Sequence, residues 1–333
     1  MIDFRYTTPS FDILRAAHAE YVVTDLHRAH DFYVGALGFV MTLETPDALF
    51  LRGYEEQLHH SLILRRGDSP HIGHLSFRVA SDSDLDLLFD HFDEQGLAPW
   101  WVKEEEPGQG RALRVQDPVG FPVEFFCEMA PVESLLRRYD LHRGAEVMRL
   151  DHFNLLVPDC AVGFEYYKSL GFRCSEYTTT DDEDEQLWAA WMFRKPDVHD
   201  VALMNGSGPR LHHTGWWVCD PMSVLRTCDR MAALGLAPAI ERGPGRHGLS
   251  NAFFLYLRDP DGHRIELYTS DYYTGDPGLE PLRWSVNDPM RQTFWGHAAP
   301  ASWFEESSVV ADYNGGTRGV QAARLHHRPE TVI

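Results

Sequence analysis

Two histidines and one glutamate in the second half of the chain could hold a divalent metal ion. His152, His213 and Glu266 lie in three separate segments whose side-chain alternation is typical of buried strands. A carboxylate in the middle of an apolar strand is costly unless it is paired or binds a metal. Two imidazoles and one carboxylate can occupy one side of such an ion and leave the opposite positions open for substrate and oxygen, as in non-haem Fe(II) oxygenases. The three residues therefore predict a metal centre for oxidative chemistry.

Each of these residues, taken alone, also has an ordinary structural explanation. A histidine in a strand is more often a satisfied structural side chain than a ligand, and a glutamate in a strand often lies at an edge or in an ion pair. The metal interpretation is favoured because all three residues stand at matching positions of an internal repeat.

The repeat also supplies the elements that must position these side chains. The pairs of similar segments are 18–39 with 152–172, 71–79 with 210–218, and 117–126 with 259–268. In this alignment His18, His74 and Glu124 of the first half stand at the positions of the three candidate ligands. Two homologous halves of similar size follow from the repeat.

Each half is predicted to contain two successive units, each made of a strand, a helix and several further strands. The predicted helices are 25–37, 83–95, 159–170 and 221–234. The turn sequence Asp259-Pro-Asp-Gly262 predicts that the strands 252–258 and 263–269 are adjacent and antiparallel. The expected organisation is a first domain at 12–130, a helical linker at 131–147, a catalytic domain at 148–270, and an aromatic-rich lid and tail at 271–333.

Composition narrows the class of protein. The 333 residues include 30 Lys and Arg against 50 Asp and Glu, a net charge of −20 that argues against nucleic acid or an anionic membrane as a partner. An anionic substrate would need a local basic pocket. The five cysteines contain no CxxC pair, so we expect reduced thiols. No apolar run is long enough to span a bilayer, and together with the reduced thiols this leads us to expect a cytoplasmic location.

Several motifs resemble those of the type I extradiol catecholic dioxygenases of the vicinal oxygen chelate superfamily. They are LDHFN (150–154), AAWMFRK and VHD within 189–200, GPRLHH (208–213), IERGPGRHGLSNAF (240–253) and LRDPDGHRIELYTSDYYTGDP (257–277). The likeness is strongest to the members that cleave homoprotocatechuate, which is 3,4-dihydroxyphenylacetate. It implies an α+β fold of four βαβββ modules paired into two barrel-like domains, a C-terminal lid, and a homotetramer.

The same resemblance assigns expected roles to individual residues. His152, His213 and Glu266 match the ligands of Fe(II), with Mn(II) as the alternative. The residues that match other parts of the family's site are His199 as acid/base, Tyr256 as a hydrogen-bond partner of substrate and oxygen, Asn154 and Trp191 in the pocket, and Arg242, His247 and the lid residue Arg291 at the substrate carboxylate. The family carries two basic residues in the lid, whereas here Arg291 is followed by Gln292.

Ordinary explanations exist for these residues as well. His199 could be a surface histidine, Tyr256 a core residue and Trp191 a packing residue, while Arg242 and His247 could stabilise a Gly/Pro loop.

The function implied by the resemblance is extradiol cleavage of a catechol with an acidic side chain, with 3,4-dihydroxyphenylacetate as the expected substrate. Dioxygen is the co-substrate and a 2-hydroxymuconic semialdehyde is the product. The alternatives are a dioxygenase for another catechol, a glyoxalase-like lyase or isomerase, and a non-catalytic binding module. The pair His199 and Tyr256 argues against the lyase, and the complete His/His/Glu set argues against the binding module.

The first half departs from the resembling enzymes, in which this half is usually free of metal. His18, His74 and Glu124 are retained there, and His59 falls near the counterpart of His199. The counterpart of Tyr256 is Arg114, and no second Gly/Pro loop like 240–253 occurs. We interpret the first-half set as either a vestige or a weak second metal site, and on the sequence alone we favour the vestige.

Overall fold

Two sheets of matching topology make up most of the computed structural model, which describes residues 2–325. The strands of the first sheet are β1 (Ile13–Val23), β2 (Val40–Glu44), β3 (Ala48–Arg52), β4 (Leu62–Arg66), β5 (His71–Val79), β6 (Trp100–Val102), β7 (Ala112–Gln116) and β8 (Pro122–Phe126). The corresponding strands of the second sheet are β9 (Val147–Val157), β10 (Arg173–Thr179), β11 (Leu187–Phe193), β12 (Val201–Asn205), β13 (Arg210–Val218), β14 (Ile240–Arg246), β15 (Phe253–Arg258) and β16 (Arg264–Thr269).

Four helices connect these strands into modules. They are α1 (Leu26–His30), which continues as a π-helical turn (Asp31–Ala36), α2 (Asp82–Glu94), α3 (Cys160–Ser169) and α4 (Pro221–Ala233). Each module is therefore one strand, one helix and three strands. The first sheet has the order β2-β3-β4-β1-β5-β8-β7-β6, and the second has the equivalent order β10-β11-β12-β9-β13-β16-β15-β14. The predicted α+β fold of four βαβββ modules is confirmed.

The helix boundaries follow from local capping chemistry. The carboxylate of Asp25 accepts from the backbone N–H of His27 at 2.9 Å, and that of Asp220 accepts from the backbone N–H of Ser223 at 2.8 Å. Gly171 and Gly235 adopt φ of 85° and 73° just after α3 and α4, a conformation that ends a helix and favours glycine. The four predicted helices are confirmed to within one or two residues.

The predicted helical linker at 131–147 is wrong in its secondary structure, because the segment forms turns. Its backbone groups bond to distant partners: the N–H of Leu135 donates to the carbonyl of Tyr54 at 2.7 Å, and that of Ala145 to the carbonyl of Leu37 at 2.8 Å. Gly144, with φ of 64°, lies against Leu37 and would break a helix there. Long-range hydrogen bonds therefore override a locally helical composition.

The two halves share one apolar core. The rings of Phe77 and Phe153 meet across them with centroids 5.6 Å apart. Polar contacts add specificity: the hydroxyls of Tyr21 and Thr214 lie 2.8 Å apart, and the backbone N–H of Ala16 donates to the carboxylate of Asp200 at 2.8 Å. Apolar and polar contacts therefore hold the two halves together.

The segment after β16 returns over the second sheet. Strand β17 (Leu282–Ser285) pairs with β10, and helix α5 (Ala301–Glu305) precedes β18 (Ser308–Val309), which pairs with β13. Residues 326–333 of the predicted lid and tail lie outside the described residues. Within residues 2–325, no helix is long and apolar enough to cross a membrane.

Candidate metal centre and substrate cavity

Three adjacent strands bring the candidate ligands to one point. His152 on β9 and Glu266 on β16 both face Gly215, which lies on the strand β13 between them, and His213 is two residues before Gly215. A Cβ atom at Gly215 would clash with the imidazole of His152. The absence of a side chain at Gly215 is therefore what lets the ligands on either side approach each other.

The three donor atoms form a compact triangle. Nε2 of His152 is 3.3 Å from Nε2 of His213, and Oε2 of Glu266 is 3.1 Å from each of these nitrogens. All three residues are buried. Metal–ligand bonds of about 2.1 Å that meet at right angles place neighbouring donor atoms about 3 Å apart. The triangle therefore fits one face of a divalent ion, and two imidazoles with a carboxylate suit Fe(II) or Mn(II).

Neighbouring residues orient both imidazoles. A carboxylate oxygen of Asp151 lies 2.9 Å from Nδ1 of His152, and Nδ1 of His212 lies 2.7 Å from Nδ1 of His213. The ammonium of Lys195 is 3.7 Å from the other oxygen of Asp151. Such contacts fix the ring orientation and, in the case of Asp151, increase the basicity of the ligand.

The electrostatics of the triangle are those of a cation site. Burial alone would raise the pKa of Glu266, but hydrogen bonds from His152 and His213 bring it well below its usual range. Burial lowers the pKa of His213 to about 4, so that its ring is neutral at neutral pH, the charge state in which an imidazole binds a metal ion.

His199 and Tyr256 both contact the triangle, His199 at the ring of His152 and Tyr256 at the ring of His213. The ring centroid of His199 lies 3.9 Å from that of His152, and Lys195 fixes its loop by donating from Nζ to the carbonyl of His199 at 2.6 Å. Burial, together with the neighbouring His152, holds the pKa of His199 well below its usual value. Tyr256 lies opposite Glu266 in the sheet, and burial, with the Glu266 charge, raises the pKa of its hydroxyl well above the usual value.

Two buried guanidinium groups, those of Arg242 and Arg291, make one end of the cavity basic, and the buried His247, whose pKa burial lowers to about 3, lies beside them as a neutral ring. Within residues 2–325, Nε and Nη1 of Arg242 and of Arg291 have no hydrogen-bond partner. Burial lowers the pKa of Arg291 to about 10, which still leaves the guanidinium charged at neutral pH. Nε2 of His247 lies 2.9 Å from the hydroxyl of Tyr256. Buried guanidinium groups without a counter-ion are a site for an anion.

The tail closes this basic end. The carbonyl of Arg291 accepts from the backbone N–H groups of Gly248 and Leu249 at 3.1 and 3.0 Å. The carbonyl of Gln292 bonds to His247 and accepts from Arg242 at 3.2 Å. The tail and the Gly/Pro loop therefore form one unit around the cavity.

All ten sequence-predicted residues line the same cavity. They are His152, Asn154, Trp191, His199, His213, Arg242, His247, Tyr256, Glu266 and Arg291. Asn154 and Trp191 lie on β9 and β11 and form one wall, separated by Ala202 on the strand between them.

Sequence reasoning missed several residues of this site. Trp303, Tyr268, Ser250 and Gln292 also line the cavity. The position of Asp151 next to His152 was a signal that could have been used, and the alternation of His213 with Gly215 was another. Trp303 carried no local signal, because its contact with the cavity depends on how the tail folds back.

The paired modules and the His/His/Glu triangle define a metal-site protein of the vicinal oxygen chelate fold. The chain belongs to the Glyoxalase/Bleomycin resistance protein/Dioxygenase superfamily, whose sequence pattern matches residues 15–125 and 149–267.

Individual proteins in this superfamily are similar over most of the chain. The structure of homoprotocatechuate 2,3-dioxygenase from Brevibacterium fuscum in its anaerobic complex with 3,4-dihydroxyphenylacetate is 44% identical, with a TM-score of 0.92 over 96% of this chain and 100% of that one. A manganese-dependent 2,3-dihydroxybiphenyl 1,2-dioxygenase from Geobacillus genomosp. 3 is 29% identical over 85% of this chain and 94% of its own length. A metapyrocatechase from Geobacillus stearothermophilus is 29% identical over 92% of this chain and 96% of its own length. The predicted family resemblance and enzyme class are confirmed.

Proposed function

We propose that the protein is an extradiol dioxygenase that cleaves 3,4-dihydroxyphenylacetate, or a closely related acidic catechol, to a 2-hydroxymuconic semialdehyde. The observation that carries the proposal is one cavity that combines a His/His/Glu triangle with two buried guanidinium groups whose Nε and Nη1 atoms have no hydrogen-bond partner within residues 2–325. A catechol with a carboxylate side chain fits such a cavity, with its two ring oxygens at the triangle and its carboxylate at the guanidinium groups. The structure of the Brevibacterium fuscum enzyme with 3,4-dihydroxyphenylacetate supports the same substrate class.

His152, His213 and Glu266 are the proposed ligands of Fe(II) or Mn(II). When bound there, the ion supplies positive charge that favours loss of a catechol proton and a coordination sphere in which catechol and dioxygen can react together. Together these three side chains would hold one side of a bound ion and would leave its other side for the substrates.

His199 is the proposed acid/base residue. Its ring is buried beside the triangle, and its lowered pKa keeps it neutral and able to accept a proton from a catechol hydroxyl. The same residue can return the proton as the ring opens. Tyr256 keeps its proton because its pKa is raised, so its hydroxyl acts as a hydrogen-bond donor towards substrate oxygen.

Arg242, His247 and Arg291 are the proposed partners of the substrate carboxylate. Holding this group at the basic end fixes the distance and angle of the catechol oxygens relative to the triangle. Asn154 and Trp191 border the space for the ring. The proposed role of the protein is therefore mainly to orient the substrate and to transfer protons.

The alternatives weighed from the sequence are less well supported. A non-catalytic binding module would not need a buried His/His/Glu triangle, and a glyoxalase-like lyase would not need the pair His199 and Tyr256. The homotetramer and the cytoplasmic location stay predictions.

The test is a turnover assay. Metal-free protein is loaded anaerobically with Fe(II), and in parallel with Mn(II), and is then mixed with 3,4-dihydroxyphenylacetate and air. We expect a yellow ring-fission product that requires oxygen and is absent from the Glu266→Gln variant. Wild-type protein that contains metal but forms no ring-fission product from any catechol would overturn the proposal.

A further inference from the structure

The first half contains a second buried cluster of metal-binding side chains. Nε2 of His18 lies 2.9 Å from Nε2 of His74, and Oε1 of Glu124 lies 3.3 Å from the former and 3.9 Å from the latter. The three side chains are 0–2% exposed. Their donor atoms are almost as close together as those of the candidate catalytic triangle.

The backbone that carries this cluster matches that of the second half. His18 lies on β1 and Glu124 on β8, and both face Ser76 on the strand β5 between them. Ser76 therefore occupies the place of Gly215, and its hydroxyl donates to Oε1 of Glu124 at 3.3 Å. The ligands of the first half therefore approach each other beside a serine side chain, whereas in the second half the His152 ring fills the space next to Gly215.

Unsatisfied polar atoms surround the cluster. Nδ1 of His18, Nε2 of His60 and Oε1 of Gln109 are buried and have no hydrogen-bond partner within residues 2–325. The ring of His60 lies 5.1 Å from that of His18, and the amide of Gln109 donates to Glu124 at 2.8 Å. Buried polar atoms without partners are uncommon, and an absent ion with its coordinated water is one explanation for several of them in one place.

The charges of the cluster favour an added cation. Three buried carboxylates, those of Glu20, Glu106 and Glu124, pair with two guanidinium groups, those of Arg65 and Arg114. When all are ionised, negative charge is in excess. Burying such an excess is costly, and a bound cation would offset it.

We propose that His18, His74 and Glu124 bind a second divalent transition-metal ion. Arg114 contacts Oε2 of Glu124 at 2.8 Å, which fixes the carboxylate while Oε1 faces the two imidazoles. Arg114 also stands where the second half has Tyr256, and the first half has no counterpart of the Gly/Pro loop. The ion is therefore structural: it joins β1, β5 and β8 and does not take part in ring cleavage.

The test counts metal ions per chain. Protein stripped with a chelator is dialysed against Zn(II), freed of unbound metal, and analysed by plasma mass spectrometry. We expect two ions per chain for the wild type, one for His18→Gln, one for Glu266→Gln, and none for the double variant. After loading with Fe(II), His18→Gln should keep the wild-type rate with 3,4-dihydroxyphenylacetate, whereas Glu266→Gln should lose it.

A single ion per wild-type chain would overturn the proposal, and this result does not depend on the folding of any variant. Two ions in both the wild type and His18→Gln would also overturn it, because the second ion would then be bound elsewhere. The count is independent of turnover. A chain that binds two ions but cleaves no catechol would therefore refute the proposed function and leave the second site intact.

Discussion

Gly215 leaves room for two proposed ligands on separate strands to approach each other, because any side chain there would occupy the space of the His152 ring. We expect Gly215→Ala to displace this imidazole and to reduce metal content to that of Glu266→Gln. Plasma mass spectrometry of the purified proteins measures the effect. Ala190→Gly, which changes side-chain size on β11 of the same sheet, is the control for general destabilisation, and it should keep its metal. A Gly215→Ala variant with full metal content would show that the ligands tolerate a side chain between them.

Substitution of the buried Arg242 tests substrate specificity most directly. We expect Arg242→Ala to raise KM for 3,4-dihydroxyphenylacetate about 100-fold, since removing the buried partner of an anion costs a few kcal/mol. KM for unsubstituted catechol should change little. Steady-state kinetics with both substrates measures the difference. Equal increases for the two catechols would mean that this end of the cavity does not bind a carboxylate.

The identities of most residues of the site could be predicted from the sequence. The three ligands could be found because strand alternation and the repeat mark positions that must face the same point. Asp151 and Gly215 were overlooked, although both adjoin or alternate with a ligand. Trp303 could not be found, because no local pattern says where the tail returns.

At the level of elements, one buried carboxylate ties the tail to the cavity. Oε1 of Glu176 on β10 accepts from the backbone N–H of Ser250 and from the hydroxyl of Tyr272, both at 2.7 Å, and Oε2 accepts from the indole N–H of Trp284 at 2.6 Å. Ser250 lines the cavity and adopts a φ of 54°, a conformation that a non-glycine residue rarely takes. Glu176 therefore positions both the loop and the tail.

We expect Glu176→Gln to raise KM for 3,4-dihydroxyphenylacetate several-fold and to leave metal content unchanged. The amide nitrogen of glutamine cannot accept a hydrogen bond, so one of the three contacts is lost. The exposed Glu183→Gln is the matched control. Metal analysis, together with kinetics for catechol and its acidic derivative, distinguishes an effect on substrate positioning from a general loss of structure. Loss of metal, or equal effects in both variants, would contradict this role.

The linker shows where prediction of elements failed. Residues 131–147 have a helical composition, yet the backbone N–H groups of Val132, Leu135 and Ala145 donate to carbonyl groups within residues 37–57, far away in sequence. The helices that were predicted correctly have caps encoded within a few residues, as at Asp25 and Asp220. Local signals were sufficient where local hydrogen bonds decide the structure, and insufficient where long-range ones do.

At the level of the whole molecule, the repeat accounts for the architecture. The order of strands in the two sheets is equivalent, as the repeat predicted for two homologous halves, and the family resemblance implied the four paired modules. The contact between the halves was less predictable, because it depends on side chains such as Asp200, which joins a loop of the second half to β1.

Bound metal should stabilise the folded chain. The ligands come from strands that are far apart in sequence, and an ion that binds only the folded state adds about 2.7 kcal/mol at a concentration 100 times its Kd. We expect a chelator to lower the thermal midpoint of the wild type by several degrees and to lower that of Glu266→Gln by less. Scanning calorimetry measures both. Equal shifts would mean that the second-half triangle does not bind the ion.

The most direct measurement is anomalous diffraction at the metal edge from a crystal of the metal-loaded protein with 3,4-dihydroxyphenylacetate, prepared without oxygen. The account predicts an anomalous peak within bonding distance of His152, His213 and Glu266, with both catechol oxygens on its open side and the substrate carboxylate at Arg242. A catechol bound away from the ion, or no anomalous peak at these three residues, would contradict it.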